Sequence, residues 1–136
     1  MRYYVLITHA KLAEGLKSSV ELILGKQEKL TAYCAYIDPE QDVPKYVTEL
    51  IRAKRSDDEY IVVTDLLGGS VNTAMMELLE CEGVHIITGA NLVLLMQLML
   101  LDDDCNLGTE IPLIVEQARD GIAYVNLLTS DDEEDF

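Results

Sequence analysis

The stretch IVVTDLLGGS at residues 61–70 combines an acid, a glycine turn and a helix start. The acid, Asp65, follows an apolar, β-branched run typical of a strand buried on both faces. Gly68 and Gly69 come next, and from Ser70 the apolar spacing predicts a helix. Glycines allow backbone N–H groups to approach a ligand closely, and the first turn of a helix leaves such groups unpaired. The stretch could therefore bind a phosphoryl group, although a simple tight turn between strand and helix explains it equally well.

A second candidate is His9, which follows the apolar run YYVLIT at residues 3–8. On position alone it could be a structural cap or a functional residue, because loops at strand ends often carry function. A neutral imidazole is a good nucleophile at about pH 7. A carboxylate on one ring N–H would fix the tautomer and stabilise the cation that develops when the other nitrogen accepts a phosphoryl group. If Asp65 lies beside His9, the pair could perform phosphoryl transfer.

The other elements predicted from the sequence would bring these two residues together. Strands are predicted at 3–8, 30–37, 61–64 and 84–88, and helices at roughly 11–24, 43–54, 70–81, 92–101 and from a cap at Thr109. Strand and helix alternate, which is typical of a doubly wound α/β fold: a four-stranded parallel sheet with helices on both faces. In the common strand order 2-1-3-4 the first and third strands are neighbours. His9 and Asp65 would then meet at the switch point, where such sheets bind ligands.

The remaining polar candidates are predicted to be structural. His85 lies inside the predicted strand 84–88, away from the strand ends. The three acids at 102–104 are consecutive, so they suit a solvated loop better than a convergent cluster. No third ligand stands at a metal-binding spacing beside His9 and Asp65, which disfavours a metal site.

Composition and charge restrict the possible partners. The 136 residues suffice for one domain, which we expect at 1–128, followed by an acidic disordered tail at 129–136. The formal net charge is −15, and five of these charges belong to the acids at 131–135. Such a surface repels nucleic acid and anionic membranes and favours a basic protein partner, although the tail could simply aid solubility.

Several features predict a cytoplasmic protein that does not insert into a membrane. The longest apolar run, 92–101, has ten residues and contains Gln97, so it suits a buried helix. The N-terminus has no signal-peptide cleavage pattern. The three cysteines are far apart and in no metal-binding spacing, as expected of free thiols in a reducing compartment.

Three motifs together resemble the IIA component (EIIA) of the mannose class of the bacterial phosphoenolpyruvate-dependent sugar phosphotransferase system (PTS). THAKLAEGLKSSVELILG at 8–25 resembles the end of that family's first strand and its first helix. VTDLLGGSVNTA at 63–74 and TGANLVLLMQLML at 88–100 resemble its second and third signatures. The family often has Gly, Pro and Pro where this chain has Ala10, Val71 and Val93. These departures affect turns and leave the reactive groups in place.

The resemblance implies a phosphocarrier with a phosphohistidine intermediate. His9 would accept a phosphoryl group on Nε2 from the carrier protein HPr and pass it to a IIB component during sugar uptake. Asp65 would hold Nδ1, while the backbone N–H groups of Gly69 and Ser70 and the Ser70 hydroxyl would hold the phosphate oxygens. The transfer requires positioning and charge stabilisation but no metal or organic cofactor.

Two alternatives remain open. One is a phosphohistidine subunit for a dihydroxyacetone kinase, a group similar in fold and histidine whose second motif lacks the DxxGGS form found here. The other is a regulatory binding module that senses phosphorylation without relaying it, although such relatives usually sit inside longer chains. A IIB protein and permease components encoded alongside would favour the sugar phosphocarrier.

The last apolar segment, IAYVNLL at 122–128, is predicted to be a strand that needs a partner. A four-stranded parallel sheet has two edges, and an uncovered edge favours aggregation. The segment could fold back onto its own sheet, or two chains could exchange it across a two-fold axis. The family resemblance favours exchange into a homodimer, because mannose-class IIA domains are dimers whose C-terminal strands pair antiparallel with the sheet of the other subunit.

Overall fold

The computed structural model describes residues 1–66 and 71–128. Gly69, Ser70 and the predicted tail at 129–136 lie outside the described residues. The elements in chain order are β1 (Arg2–His9), α1 (Leu12–Leu24), β2 (Leu30–Ala35), α2 (Val43–Ala53), β3 (Glu59–Thr64), α3 (Val71–Leu79), β4 (Val84–Thr88), α4 (Leu92–Met99), α5 (Leu107–Asp120) and a short 3-10 helix (Val125–Leu127). Among these described helices, none is both long and apolar enough to cross a bilayer.

The four strands form one parallel sheet in the order β2-β1-β3-β4, which confirms the predicted 2-1-3-4 order. In the register, Ile7 of β1 lies opposite Thr64 of β3, and His9 lies opposite Ala35 of β2. Because all strands run the same way, their carboxyl ends lie at one edge of the sheet. That edge carries His9.

The helices cover both faces of the sheet, as the near-continuous apolar strands predict. Alternate residues of β1 belong to different clusters, because successive side chains of a strand point to opposite faces. Leu6 packs in a cluster with residues of α1, α4 and α5, whereas Val5 packs in a cluster with residues of α2 and α3. Both side chains are buried, so β1 forms the centre of the core.

Side-chain caps fix where α2, α4 and α5 begin. Asp42 caps α2, because its carboxylate accepts the Lys45 N–H at 3.1 Å. The predicted cap at Thr109 is wrong. Asn106 caps α5 by accepting the Thr109 N–H at 3.1 Å, so the helix begins at Leu107. The amide oxygen of Asn106 satisfies a first-turn donor, and Thr109 is thereby drawn inside the helix.

The second strand ends earlier than predicted. It stops at Ala35 rather than at residue 37, because Tyr36 adopts a φ of +62° and turns the chain out of the strand. A positive φ is uncommon for a residue with a Cβ atom. This turn brings Tyr36 to the edge of the sheet where His9 lies.

The segment at 122–128 does not join the sheet of its own chain, and only Val125–Leu127 form a 3-10 helix. Ile122 and Leu127 expose 81% and 76% of their surfaces, so these apolar side chains have little cover from their own chain. An exchanged strand requires a second chain. The homodimer therefore stays a prediction.

Candidate functional site

The sheet brings His9 and Asp65 together although 56 positions separate them in the chain. His9 is the last residue of β1, and Asp65 directly follows β3. Because β1 and β3 are hydrogen-bonded neighbours in register, both residues emerge at the same edge. This is the switch point of the sheet, where the chain leaves in opposite directions and a crevice forms.

The Asp65 carboxylate holds His9 through both the backbone and the ring. Its Oδ2 accepts the His9 backbone N–H at 2.9 Å, and the ring Nδ1 lies 3.1 Å from both Oδ1 and Oδ2. Oδ1 also accepts the Leu66 N–H at 2.8 Å. The Asp65 side chain is only 14% exposed, whereas the His9 side chain is 54% exposed. The acid is therefore fixed in place while the imidazole faces solvent.

The protonation state of Asp65 determines the tautomer of His9. Partial burial by itself would raise the pKa of Asp65, but the hydrogen bonds from the His9 N–H, the His9 ring and the Leu66 N–H together lower the pKa below its ordinary 3.8. The carboxylate is thus ionised at neutral pH and can only accept hydrogen bonds. Nδ1 must then be the protonated nitrogen, which leaves the lone pair on Nε2. No hydrogen bond from the described part of the chain reaches Nε2.

The backbone after His9 turns sharply into α1. Ala10 adopts a φ of +52°, and its N–H donates to the Ala35 carbonyl at 2.8 Å. The Thr8 hydroxyl accepts the Ala13 N–H at 2.7 Å, which fixes the beginning of the helix to the end of the strand. Glycine would adopt the Ala10 conformation more easily, since a Cβ in the left-handed region costs roughly 1 kcal/mol. The departure at this position therefore leaves the turn formed but strained.

Tyr36 is a site residue that the sequence analysis missed. Its ring stacks on the His9 imidazole, with centroids 5.0 Å apart and planes inclined by 28°. The parallel register places Ala35 opposite His9, so the next residue of the chain reaches the histidine. Tyr36 falls inside the predicted strand 30–37, and a regular strand does not direct its side chain toward His9. Pairing the first two predicted strands in parallel could have identified Tyr36, because it places the end of the second strand beside His9.

The other predicted candidates occupy different places. His85 lies on β4 opposite Ile61, with Nε2 3.7 Å from a carboxylate oxygen of Glu59, and is not part of the pair. The predicted phosphate-binding residues, Gly69 and Ser70, are not among the described residues. Within 1–66 and 71–128, no three His, Cys, Asp or Glu side chains are placed to hold a metal ion.

The cavity between the described side chains of the site is small. It has a volume of about 10 Å³ and is lined by Ile7, Thr8, His9, Ala35, Tyr36, Thr64, Asp65 and Leu66. Pockets for organic ligands usually measure about 300–1,000 Å³. The described residues therefore present an exposed nucleophile at a surface rather than a chamber for a small substrate.

Known sequences match this chain over a range that includes residues of all four strands. The family described as EIIA-man, PTS system fructose IIA component, matches residues 3–117. The PTS system mannose-specific EIIAB component of Escherichia coli (strain K12) is 28% identical over 122 residues, which cover 87% of this chain. The match covers 38% of that relative, so this chain spans well under half of its length.

Solved structures share the same architecture. A crystal structure from Klebsiella pneumoniae, described as a phosphoenolpyruvate-dependent sugar PTS permease, superposes with a TM-score of 0.86 at 36% identity and covers 93% of this chain and 92% of its own. The PTS IIA protein associated with the fucose utilization operon of Streptococcus pneumoniae gives a TM-score of 0.74 at 26% identity, with 92% and 93% of the two chains covered.

Proposed function

Because the chain belongs to the EIIA-man family of PTS IIA components, we propose that it is a phosphocarrier in sugar uptake and that His9 carries the phosphoryl group. One observation supports this role above all others. An ionised Asp65 holds Nδ1 of His9 at 3.1 Å, while more than half of the imidazole side chain is exposed. This arrangement makes Nε2 the nucleophilic nitrogen and leaves it open to a protein-bound phosphoryl donor.

The proposed transfer proceeds in two balanced steps. Nε2 of His9 attacks the phosphorus of phospho-HPr, so an N–P bond forms on His9 as the N–P bond of the donor breaks and its electron pair returns to the donor nitrogen. The proton on Nδ1 stays in place, and Asp65 stabilises the positive charge that develops on the imidazole. In the second step, a nucleophile of a IIB component takes the phosphoryl group in the same way. The name of the E. coli relative, EIIAB, joins an A and a B component and supports such an acceptor.

The oxygens of the phosphoryl group need hydrogen-bond donors. We assign this role to the backbone N–H groups of Gly69 and Ser70 and to the Ser70 hydroxyl. The support is the sequence, in which two glycines and a serine stand between Asp65 and the first residue of α3. Helix starts bind phosphate because their first N–H groups lack partners within the helix. The chemistry requires no cofactor, and the three free cysteines fit a cytoplasmic location.

The proposal is tested by phosphorylating the protein with phosphoenolpyruvate, enzyme I and HPr, and measuring the intact mass. We expect wild-type protein to gain one acid-labile phosphoryl group, because the N–P bond of phosphohistidine hydrolyses in acid. His9→Ala should gain none. His85→Ala is the matched control and should gain one, since its histidine lies on β4 away from the site. A phosphoryl group that persists in His9→Ala, or that resists acid, contradicts the proposal.

A second reaction separates a carrier from a sensor. Phosphorylated protein, freed of HPr, is mixed with a purified IIB component of the mannose class. A carrier loses its phosphoryl group to the IIB protein, whereas a regulatory module retains it. Transfer to a dihydroxyacetone kinase subunit in place of IIB would favour the kinase alternative.

We also propose a domain at 1–128, an acidic tail at 129–136, and a homodimer formed by exchange of 122–128. The support for the dimer is the exposure of four apolar side chains in that segment: Ile122, Tyr124, Val125 and Leu127. Deleting 129–136 should leave the dimer intact, whereas deleting from Ile122 onward should give monomer or aggregate. Light scattering that finds a full-length monomer at micromolar concentration contradicts the exchange but not the phosphocarrier.

A further inference from the structure

We infer that Tyr36 is a positioning residue for phosphoryl transfer, because its ring holds the plane of the His9 imidazole and thereby directs Nε2 toward the donor. The inference rests on the proposed role of His9 and adds a second constraint on that ring. The observation behind it is the stack of the two rings, with centroids 5.0 Å apart and planes 28° from parallel.

The hydrogen bonds that His9 donates to Asp65 leave one motion of the imidazole unrestrained. They act at a single ring atom, Nδ1, which lies 3.1 Å from both carboxylate oxygens. The χ2 torsion, about the Cβ–Cγ bond, has broad minima, so small rotations can tilt the ring plane and move Nε2 while Nδ1 stays within hydrogen-bond reach of the carboxylate. A ring stacked on its face opposes this swing. The hydrogen bond and the stack are therefore independent, and together they fix the direction of Nε2.

The same contact supports the charge that develops during transfer. When Nε2 bonds to phosphorus and Nδ1 keeps its proton, the imidazole gains positive charge. The face of a tyrosine ring attracts a cation within about 6 Å of its centroid, and the His9 centroid lies 5.0 Å away. Tyr36 thus favours the charged form from the face of the ring, while Asp65 favours it from the edge.

The backbone at Tyr36 is held in an unfavourable conformation by its own loop. Tyr36 has a φ of +62°, which glycine adopts with less strain. Gln41 fixes the loop, because its side-chain amide donates to the Cys34 carbonyl at 2.9 Å. Its side-chain oxygen accepts the N–H groups of Ile37 and Asp38 at 2.9 and 3.0 Å. Strained backbone that the surroundings hold in place is typical of functional sites.

Core packing does not account for the tyrosine. Half of its surface is exposed, and neither of the two hydrophobic clusters contains it. Ile37, the next residue, is 51% exposed in the same loop. Ile37 therefore provides a matched control: it has a similar position and exposure, but it is not the residue that stacks on His9.

The test compares Tyr36→Gly, Tyr36→Phe and Ile37→Ala in rapid-quench transfer from phospho-HPr over a range of donor concentrations. We expect Tyr36→Gly to lower the maximal rate about five- to tenfold, a loss in the range of one aromatic contact, with little change in the half-saturating donor concentration. Tyr36→Phe keeps the stack and should retain the wild-type rate, as should Ile37→Ala. An unchanged maximal rate in Tyr36→Gly overturns the inference. So does a change confined to half-saturation, which would indicate donor docking, or an equal loss in Tyr36→Phe.

A second measurement uses unphosphorylated protein and separates this inference from the proposed function. Nitrogen-15 NMR of the His9 ring reports the tautomer and the motion of Nδ1 and Nε2 without any transfer. In wild type and Tyr36→Phe we expect a single ordered Nδ1–H ring with nuclear Overhauser contacts to residue 36. Tyr36→Gly should show averaged ring signals at an unchanged or higher melting temperature, because glycine relieves the backbone strain. Ordered ring signals in Tyr36→Gly overturn the inference even if His9 is phosphorylated. Failure of wild type to accept a phosphoryl group contradicts the proposed function alone.

Discussion

Strand β3 carries acids at both ends, and the two ends of the sheet use them differently. At the amino end, Asp58 accepts the Arg55 N–H at 3.1 Å and lies 3.4 Å from the N-terminal ammonium group of Met1. At the carboxyl end, Asp65 holds His9. Both carboxylates are largely covered, at 9% exposure for the Asp58 side chain and 14% for the Asp65 side chain. The acids are alike, so the difference lies in their partners.

The cations at the amino end of the sheet have no nucleophilic atom. Arg2 is 5% exposed and donates to the carbonyls of Asp102 and Cys105 at 2.8 and 3.0 Å, with Glu59 3.5 Å away. A guanidinium or an ammonium group carries donors but no lone pair, so it cannot attack phosphorus. An imidazole held at one nitrogen keeps a lone pair on the other. An acid at an end of β3 therefore supports the fold or the proposed reaction according to whether its partner keeps an exposed nucleophilic atom.

The largest difference between the two ends of β3 should appear when one carboxylate is removed from each end in turn. Asp65→Asn should slow phosphorylation of His9 on the order of a hundredfold, because a well-placed group that stabilises developing charge is lost. Asp58→Asn, the matched control, should leave the rate unchanged. Rapid-quench rates from phospho-HPr measure both, and circular dichroism verifies that each variant is folded. Equal rates for Asp65→Asn and wild type reject the role given to Asp65, and equal slowing in both variants removes the distinction between the ends.

A substitution of Arg2, at the amino end, should lower the stability of the fold but leave the rate of phosphoryl transfer unchanged. Arg2→Met removes two part-buried hydrogen bonds, to the Asp102 and Cys105 carbonyls, and at about 0.5–1.5 kcal/mol net for each hydrogen bond the two together contribute about 1–3 kcal/mol. We expect the free energy of unfolding, measured by urea denaturation, to fall by an amount in that range. The maximal rate of His9 phosphorylation in the folded protein should stay at the wild-type value. A slower transfer with unchanged stability would show that the amino end also serves the reaction.

The smallest expected effect is the contribution of Asp65 to the free energy of unfolding at low pH. Burial tends to raise the pKa of Asp65, but its hydrogen bonds lower the pKa below the ordinary value. A lowered folded pKa means that the carboxylate contributes stability above the unfolded pKa of about 3.9 and loses that contribution as the pH falls through the folded value. The difference in unfolding free energy between wild type and Asp65→Asn should therefore be constant near neutral pH and shrink below about pH 3.9. A difference that grows with acidification would contradict the ionised state assigned to Asp65.

Much of this arrangement could be predicted from the sequence because it follows from strand patterns and topology. The apolar runs predict buried parallel strands, the 2-1-3-4 order is confirmed, and that order places His9 beside Asp65. The stack of Tyr36 could not be predicted in this way. It depends on a positive φ in a residue that ordinarily favours strands, and the hydrogen bonds of Gln41 that hold this turn come from beyond it in the chain.

The first residue of α5 is a second feature that the sequence pattern does not determine. Asn106 and Thr109 are both capping residue types, and a three-residue shift of the helix start leaves the apolar face of α5 nearly unchanged. The sequence pattern therefore predicts the helix but does not choose between the two caps. Only the hydrogen bond from the Thr109 N–H to Asn106 distinguishes them.

The long path from β1 to β3 has a consequence for how the protein acquires its reactivity. The chain passes through α1, β2 and α2 before β3 returns to the side of β1. Contacts between distant segments form slowly, because the intervening chain must lose entropy before the contact forms. A folding intermediate that pairs only β1 with β2 contains His9 but no acid beside it. The rapid phosphoryl transfer proposed for His9 therefore requires the β1–β3 pair, and during synthesis it requires that Asp65 has left the ribosome.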